Sequence, residues 1–139
     1  MKKLLLGSLF APMAFGPHIA LADGWPVSVV GTWASLADET VGTIQITSQL
    51  NPNLLCRSIT GFYTDQTSGG PNTIQGFYCP FSGRIHFLRF IHGTRITFQA
   101  WSGNLSRVGV NPKQISMGGT FSSDLNSFGE YGWQATKPP

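Results

Sequence analysis

From residue 28 onward, apolar and polar positions alternate in short runs separated by turn-forming residues. A period of two puts successive side chains on opposite faces of a β-strand. Eight runs of this kind are readable, at 29–35, 41–48, 56–65, 73–79, 84–91, 94–106, 114–123 and 129–137. The breaks include Asn51-Pro52-Asn53, Ser68-Gly69-Gly70-Pro71, Ser82-Gly83, His92-Gly93 and Asn111-Pro112, all rich in turn formers. The 3.6-residue apolar spacing of an amphipathic helix is missing, and Gly is spread throughout. The chain is therefore expected to be all-β. Even spacing and short hairpins predict an eight-stranded antiparallel up-and-down β-barrel, because closure removes the exposed edges of an open sheet.

One pattern repeats. Ile59-Thr60-Gly61-Phe62-Tyr63 returns as Ile74-Gln75-Gly76-Phe77-Tyr78. In each copy Ile, Gly and Tyr are two residues apart, so they share one strand face. The turn-rich segment between the copies makes the doublet a β-hairpin. If Cys56 lies opposite Cys79, paired positions sum to 135. Ile59 then faces Gly76 and Gly61 faces Ile74, so each large residue meets a Gly. Both Tyr residues fall on the Ile-Gly-Tyr face and both Cys on the other.

Alternation leaves the character of the interior open. After His92, one face carries Thr97, Gln99 and Trp101 and the other Ile96, Phe98 and Ala100. A dry core would turn Ile96 and Phe98 inward. A ligand-holding barrel would turn the polar-aromatic set inward and leave Ile96 and Phe98 for a subunit interface.

Residues 1–22 read as a secretory signal peptide. Lys2-Lys3 precede an apolar run over 4–16, and Ala20-Leu21-Ala22 fits a small-x-small cleavage site. That run is too short to span a bilayer. Cleavage after Ala22 leaves 117 of the 139 residues, enough for one domain over 23–139. The expected location is secreted or periplasmic. Lys2 and Lys3 leave with the signal, so seven basic residues then stand against six acidic ones. A nearly neutral chain with no basic cluster argues against a nucleic-acid partner, and no later run is long enough to cross a membrane. Export makes a Cys56–Cys79 disulfide the default. The histidines after the signal, His86 and His92, show no metal-ligand spacing, so no metal is expected.

Several segments, in order, carry a resemblance. They are Gly31-Thr32-Trp33, the two copies of the doublet, residues 97–103 (Thr-Phe-Gln-Ala-Trp-Ser-Gly), and Gly132-Trp133-Gln134-Ala135-Thr136. The set resembles the avidin and streptavidin family, whose secreted eight-stranded barrels bind biotin at one end. The likeness runs over about residues 31–136.

The resemblance implies a set of site residues. Tyr63 matches the Tyr that bonds the ureido oxygen. Ser35 stands where the family has an Asn, and Asp65 where it has a Ser or Thr. Thr97 and Gln99 match a polar pair, and Trp101 the Trp that follows it. Trp133 looks like the late Trp that reaches a neighbouring subunit's pocket, and Phe90 falls at a biotin-packing Trp. Two departures weaken the expected affinity. Gly119 lies at or beside a missing aromatic wall, and the family's later Asp has no counterpart before Pro139.

Plainer roles exist for most of these residues. Trp33 can plug a barrel end, the Tyr63 hydroxyl can bond backbone or water, and Asp65 can cap its turn. His86 suits a satisfied barrel histidine and His92 a turn. The leading expectation is a non-enzymatic small-molecule binder that needs no cofactor, takes biotin or a biotin-like ligand, and is able to form a homo-oligomer. The alternative is a barrel module that binds a protein or surface and has lost the biotin site. An enzyme is disfavoured, since no nucleophile has a base beside it and a glycosidase pair would need a second carboxylate.

Overall fold

A computed structural model describes residues 25–51, 53–107, 114–124 and 129–138. Residues 1–22, expected as a signal peptide, Pro52 of the first turn and the Asn111-Pro112 turn lie outside the described residues. The fold is a closed antiparallel barrel of eight strands in sequence order. These are β1 (Gly31–Ala37), β2 (Thr40–Leu50), β3 (Arg57–Asp65), β4 (Asn72–Cys79), β5 (Arg84–Phe90), β6 (Thr97–Arg107), β7 (Ile115–Ser123) and β8 (Glu130–Thr136). Closure comes from β1 against β8, with Ala34 opposite Thr136 and Ala37 opposite Trp133. Each predicted run contains its strand core, and the ends move by a few residues. The largest difference is at 94–96, expected as strand. Those residues belong to a turn that Ile91 closes by donating from its N–H to the Ile96 carbonyl.

The doublet hairpin has the expected register. Arg57 faces Tyr78, Ile59 faces Gly76, Gly61 faces Ile74 and Tyr63 faces Asn72. The glycines are required by closeness to the flanking strands. A Cβ on Gly61 would lie 1.9 Å from the Gln45 carbonyl oxygen, and one on Gly76 would lie 1.9 Å from that of His86. The Cys56–Cys79 disulfide closes the far end of the hairpin.

Inward positions follow the two-residue period, and their middle layer is a dry aromatic core. Trp33, Tyr63, Phe87 and Trp101 are all but fully buried. Trp101 is its hub, stacked on Phe121 at 4.7 Å and on Phe87 at 5.3 Å, with Tyr63 and Trp133 tilted against it at 5.2 and 5.3 Å. Burying a ring of that size removes about 200 Å² from water. At about 25 cal/mol/Å² this is on the order of 5 kcal/mol, an upper bound on its contribution to stability. Trp33 plugs the disulfide end, its indole N–H donating to the Val29 carbonyl at 2.9 Å. Below it Tyr78 donates to the Pro26 carbonyl at 2.7 Å. The two tyrosines of the doublet thus share the inner face but serve opposite ends, Tyr78 the closed one and Tyr63 the open one.

Candidate functional site

The open end is formed by the last residues of β1, β3, β5 and β7 and the first of β2, β4, β6 and β8. A cavity of about 480 Å³ lies there. Its inner wall is aromatic, from Tyr63, Phe98, Trp101, Phe121 and Tyr131, and its polar side is Asp65, Asn72, Arg89 and Gln99. Arg89 organises the polar side. Alternation from buried Ile85 and Phe87 turns its side chain into the barrel rather than to solvent.

The guanidinium is held from three strands. Nε donates to Asn72 Oδ1 at 2.9 Å, and Nη2 donates to the same oxygen at 2.6 Å. Nη2 also donates to Asp65 Oδ2 at 2.9 Å, while Nη1 donates to Gln99 Oε1 at 3.0 Å. Four of the five N–H donors an arginine carries are thereby engaged. The plane of charge lies 4.1 Å over the Tyr63 ring and 4.8 Å from the Phe98 ring, a cation–π sandwich. The side chains of Arg89 and Asp65 are 6% and 4% exposed, so this is a buried ion pair.

Asp65 does two things at once. Its Oδ1 caps the hairpin turn by accepting from the Thr67 N–H at 2.8 Å, the Thr67 hydroxyl at 2.9 Å and the Ser68 N–H at 2.7 Å. Burial alone would raise its pKa. The bonds from Thr67 and Ser68 and the charge of Arg89 outweigh that and hold the carboxyl below its ordinary value. For Arg89, burial lowers the pKa and Asp65 opposes it, leaving it below the usual arginine value. Gln99 Oε1 is shared, accepting from Trp101 Nε1 at 3.1 Å as well as from Arg89. The polar layer is thus fastened to the hub of the core.

Tyr63 and Ser35 form a second feature just inside the mouth. Ser35 faces Gly42 across β1 and β2, and the missing side chain of Gly42 leaves room for the Tyr63 hydroxyl, which would lie 2.7 Å from an added Cβ. Burial raises the Tyr63 pKa, and the neighbouring Ser35 hydroxyl and Arg89 charge offset part of the rise. Ser35 is 5% exposed. Its Oγ lies close enough to influence the phenol, yet among the described residues it makes no hydrogen bond of full geometry.

The expected site residues divide in two. Tyr63, Asp65, Gln99 and Trp101 meet at the cavity, and Ser35 lies against Tyr63. Phe90, Thr97 and Trp133 are not brought there, for backbone reasons. The ladder between β5 and β6 shifts register after Arg89, where Phe90 pairs with Thr97. Arg89 takes the inward position, so Phe90 turns to an outer recess beside Thr73 and Gln75. Trp133 is buried. Its indole is inside its own barrel, donating to the Ser102 and Thr120 carbonyls, both at 3.2 Å. The side-chain-free surface of Gly103 gives it the space, since a Cβ there would meet the indole at 2.8 Å.

Gly119 cannot carry an aromatic wall, because its Cβ would lie 2.0 Å from the Ser102 carbonyl oxygen. Phe121, one period further along β7, provides the wall instead, with Tyr131 packed on it at 5.4 Å. The interior thus combines both expectations: a dry centre, with Gln99 and Trp101 facing in and Phe98 folded over the rim. His86 bonds Ser102 Oγ at 2.9 Å on the outer surface, and His92 bonds the Pro71 carbonyl in its turn.

Arg89, Asn72, Phe121 and Tyr131 are the mouth residues that sequence reasoning passed over. A signal for two of them existed. The sum of 135 puts Asn72 opposite Tyr63, and extending the inward period from Phe87 selects Arg89.

Among the described residues no group of three His, Cys, Asp or Glu is placed to hold a metal ion. What the fold and cavity define is a closed antiparallel barrel with one polar-aromatic mouth. In comparison with known proteins, no family model matches the chain, no curated protein matches it, and no solved structure does.

Proposed function

We propose that the protein is an exported, non-enzymatic binder of a small, flat ligand held in the barrel mouth, related to the avidins, with biotin the first candidate. The observation that carries this reading is the cavity of about 480 Å³, lined by aromatic faces on one side and by fixed hydrogen-bonding groups on the other. Ligand pockets combine these two features, apolar area for affinity and a few placed polar groups for orientation. The fifth donor of Arg89, on Nη1, has no bond among the described residues and offers a handle for a ligand.

Asp65, the buried carboxylate of the mouth, is committed to Arg89 and to its turn, which supports a binding role over proton transfer. The disulfide suits an exported chain.

Thermal melting in the presence of biotin tests the proposal. A ligand at one hundred times its Kd stabilises the native state by about 2.7 kcal/mol, which raises the midpoint by several degrees. Tyr63→Phe and Tyr131→Ser, both at the cavity, should each reduce the rise. Absence of any rise at millimolar biotin removes biotin and favours the pocketless binding module. A rise that both variants leave intact places the ligand elsewhere on the molecule.

A further inference from the structure

The opposite end of the barrel has the composition of a membrane-facing surface. Cys56–Cys79 ties the β2–β3 turn to the β4–β5 turn, and these two turns carry exposed apolar side chains. Leu54 is 60% exposed, Leu55 80% and Phe81 91%. Large apolar groups held this far into solvent on neighbouring turns are rarely idle. Just behind them, at strand ends, stand Arg57 and Arg84, which open β3 and β5, Arg107, which closes β6, and Lys137 after β8.

Charge is segregated along the barrel axis. The described acidic residues Asp38, Glu39, Asp65, Asp124 and Glu130 all lie at the mouth. Among the described residues no Asp or Glu lies at the disulfide end. Total charge near neutrality therefore conceals a barrel that is basic at one end and acidic at the other. An anionic surface would turn the basic end toward itself, and would do so before contact.

We infer that the disulfide-stapled end docks on an anionic lipid bilayer, with Leu54, Leu55 and Phe81 entering the interface and the flanking cations meeting lipid phosphates. The order of the groups fits a bilayer: apolar tips outermost, cations one layer behind. A second copy of this chain fits worse, because a two-fold contact through the same patch would bring both sets of cations together. The expectation of no membrane partner rested on the lack of a membrane-crossing run, which does not bear on docking at a bilayer surface. Docking this way leaves the mouth facing the aqueous side.

The test is sedimentation of the exported chain with vesicles. Its N-terminus is first established by mass spectrometry, so that binding through residues 4–16 is recognised. Vesicles of phosphatidylcholine and phosphatidylglycerol at roughly a 2:1 ratio are compared with phosphatidylcholine alone. Binding should require the anionic lipid and fall as salt rises. Arg84→Gln should weaken it about fivefold, the effect of one cation near such a surface. Leu55→Ser with Phe81→Ser should weaken it at least about tenfold, and both sites are exposed enough to leave the fold intact. Arg95→Gln, at the mouth, should change nothing.

Three results overturn the inference: no anionic-vesicle binding, equal losses from Arg95→Gln and Arg84→Gln, or full binding after the Leu55/Phe81 substitutions. Binding to a soluble polyanion such as heparin without binding to vesicles points to an anionic polymer instead. A dimer that Phe81→Ser dissociates points to self-association, and each of these also overturns it. None of these outcomes bears on the biotin titration, which reads the other end.

Discussion

Replacing Arg89 by Met keeps the aliphatic stem between Tyr63 and Phe98 and removes the charge. The variant leaves Asp65 Oδ2, Asn72 Oδ1 and part of Gln99 Oε1 without their donor. Removing one partner of a buried ion pair costs about 3–5 kcal/mol. Here the lower part of that range applies, because Asp65 keeps three hydrogen bonds from Thr67 and Ser68 on its other oxygen. We expect Arg89→Met to cost about 3 kcal/mol. Asp65→Asn retains the capping oxygen and strands a guanidinium that still has Asn72 and Gln99, so about 2 kcal/mol is expected. The double variant should cost about 3 kcal/mol rather than 5, a coupling of about 2 kcal/mol. Urea unfolding at neutral pH measures all four proteins, with an unchanged m-value as the sign that the transition is comparable. The coupling should vanish in acid. Asp65 has a folded pKa below its ordinary value of 3.8, so its contribution is complete above that value and is lost as pH falls through the folded pKa. A coupling under about 0.5 kcal/mol would mean a solvated pair, and the account of the mouth as a buried, charged layer would be wrong.

Two further outcomes follow from packing and burial. Gly76→Ala should destabilise by about 2 kcal/mol or more, since its Cβ would lie 1.9 Å from a backbone oxygen, whereas Gly132→Ala, with no atom within 4 Å, should stay within about 0.5 kcal/mol; equal effects in calorimetry would contradict the described strand spacing. Burial pushes the Tyr78 pKa up to about 12, with Arg57 opposing. Stability from this group is full below pH 10 and lost as pH climbs through about 12, so the melting midpoint should fall there. Tyr78→Phe should flatten that fall, and a wild-type midpoint that is level across the same range would show the phenol to be solvated.

The barrel was legible because its signals are local. Period-two alternation and turn residues mark each strand, and the Ile-x-Gly-Phe-Tyr doublet reveals one register through steric matching of Ile59 with Gly76 and Ile74 with Gly61. The site was only half legible because it depends on register between strands that carry no such doublet. Phe90 and Arg89 are neighbours in sequence, and a one-residue choice decides which of them enters the barrel. Alternation from Ile85 and Phe87 gives the interior to Arg89 and turns Phe90 out, whereas the resemblance had pointed to Phe90. Trp133 is a related case. Its inward direction depends on the space left by Gly103, which becomes visible only when β6, β7 and β8 are assembled.

The buried Arg89–Asp65 pair is itself an argument for function at the mouth. An apolar rim would close this end of the core at less expense, because a buried ion pair recovers its desolvation cost only with near-complete hydrogen bonding. The disulfide end is closed by packing: Trp33 plugs it, and the buried Tyr78 hydroxyl is satisfied by the Pro26 carbonyl. At the mouth the same chain instead spends Asn72, Gln99 and a turn cap on holding one guanidinium in a fixed plane over an aromatic face. Fixing a donor in advance lowers the ordering cost of binding, which is where such an arrangement gains affinity. The two ends therefore differ in kind. One is closed by packing and presents apolar tips with cations, and the other keeps a preorganised polar layer above about 480 Å³ of open space.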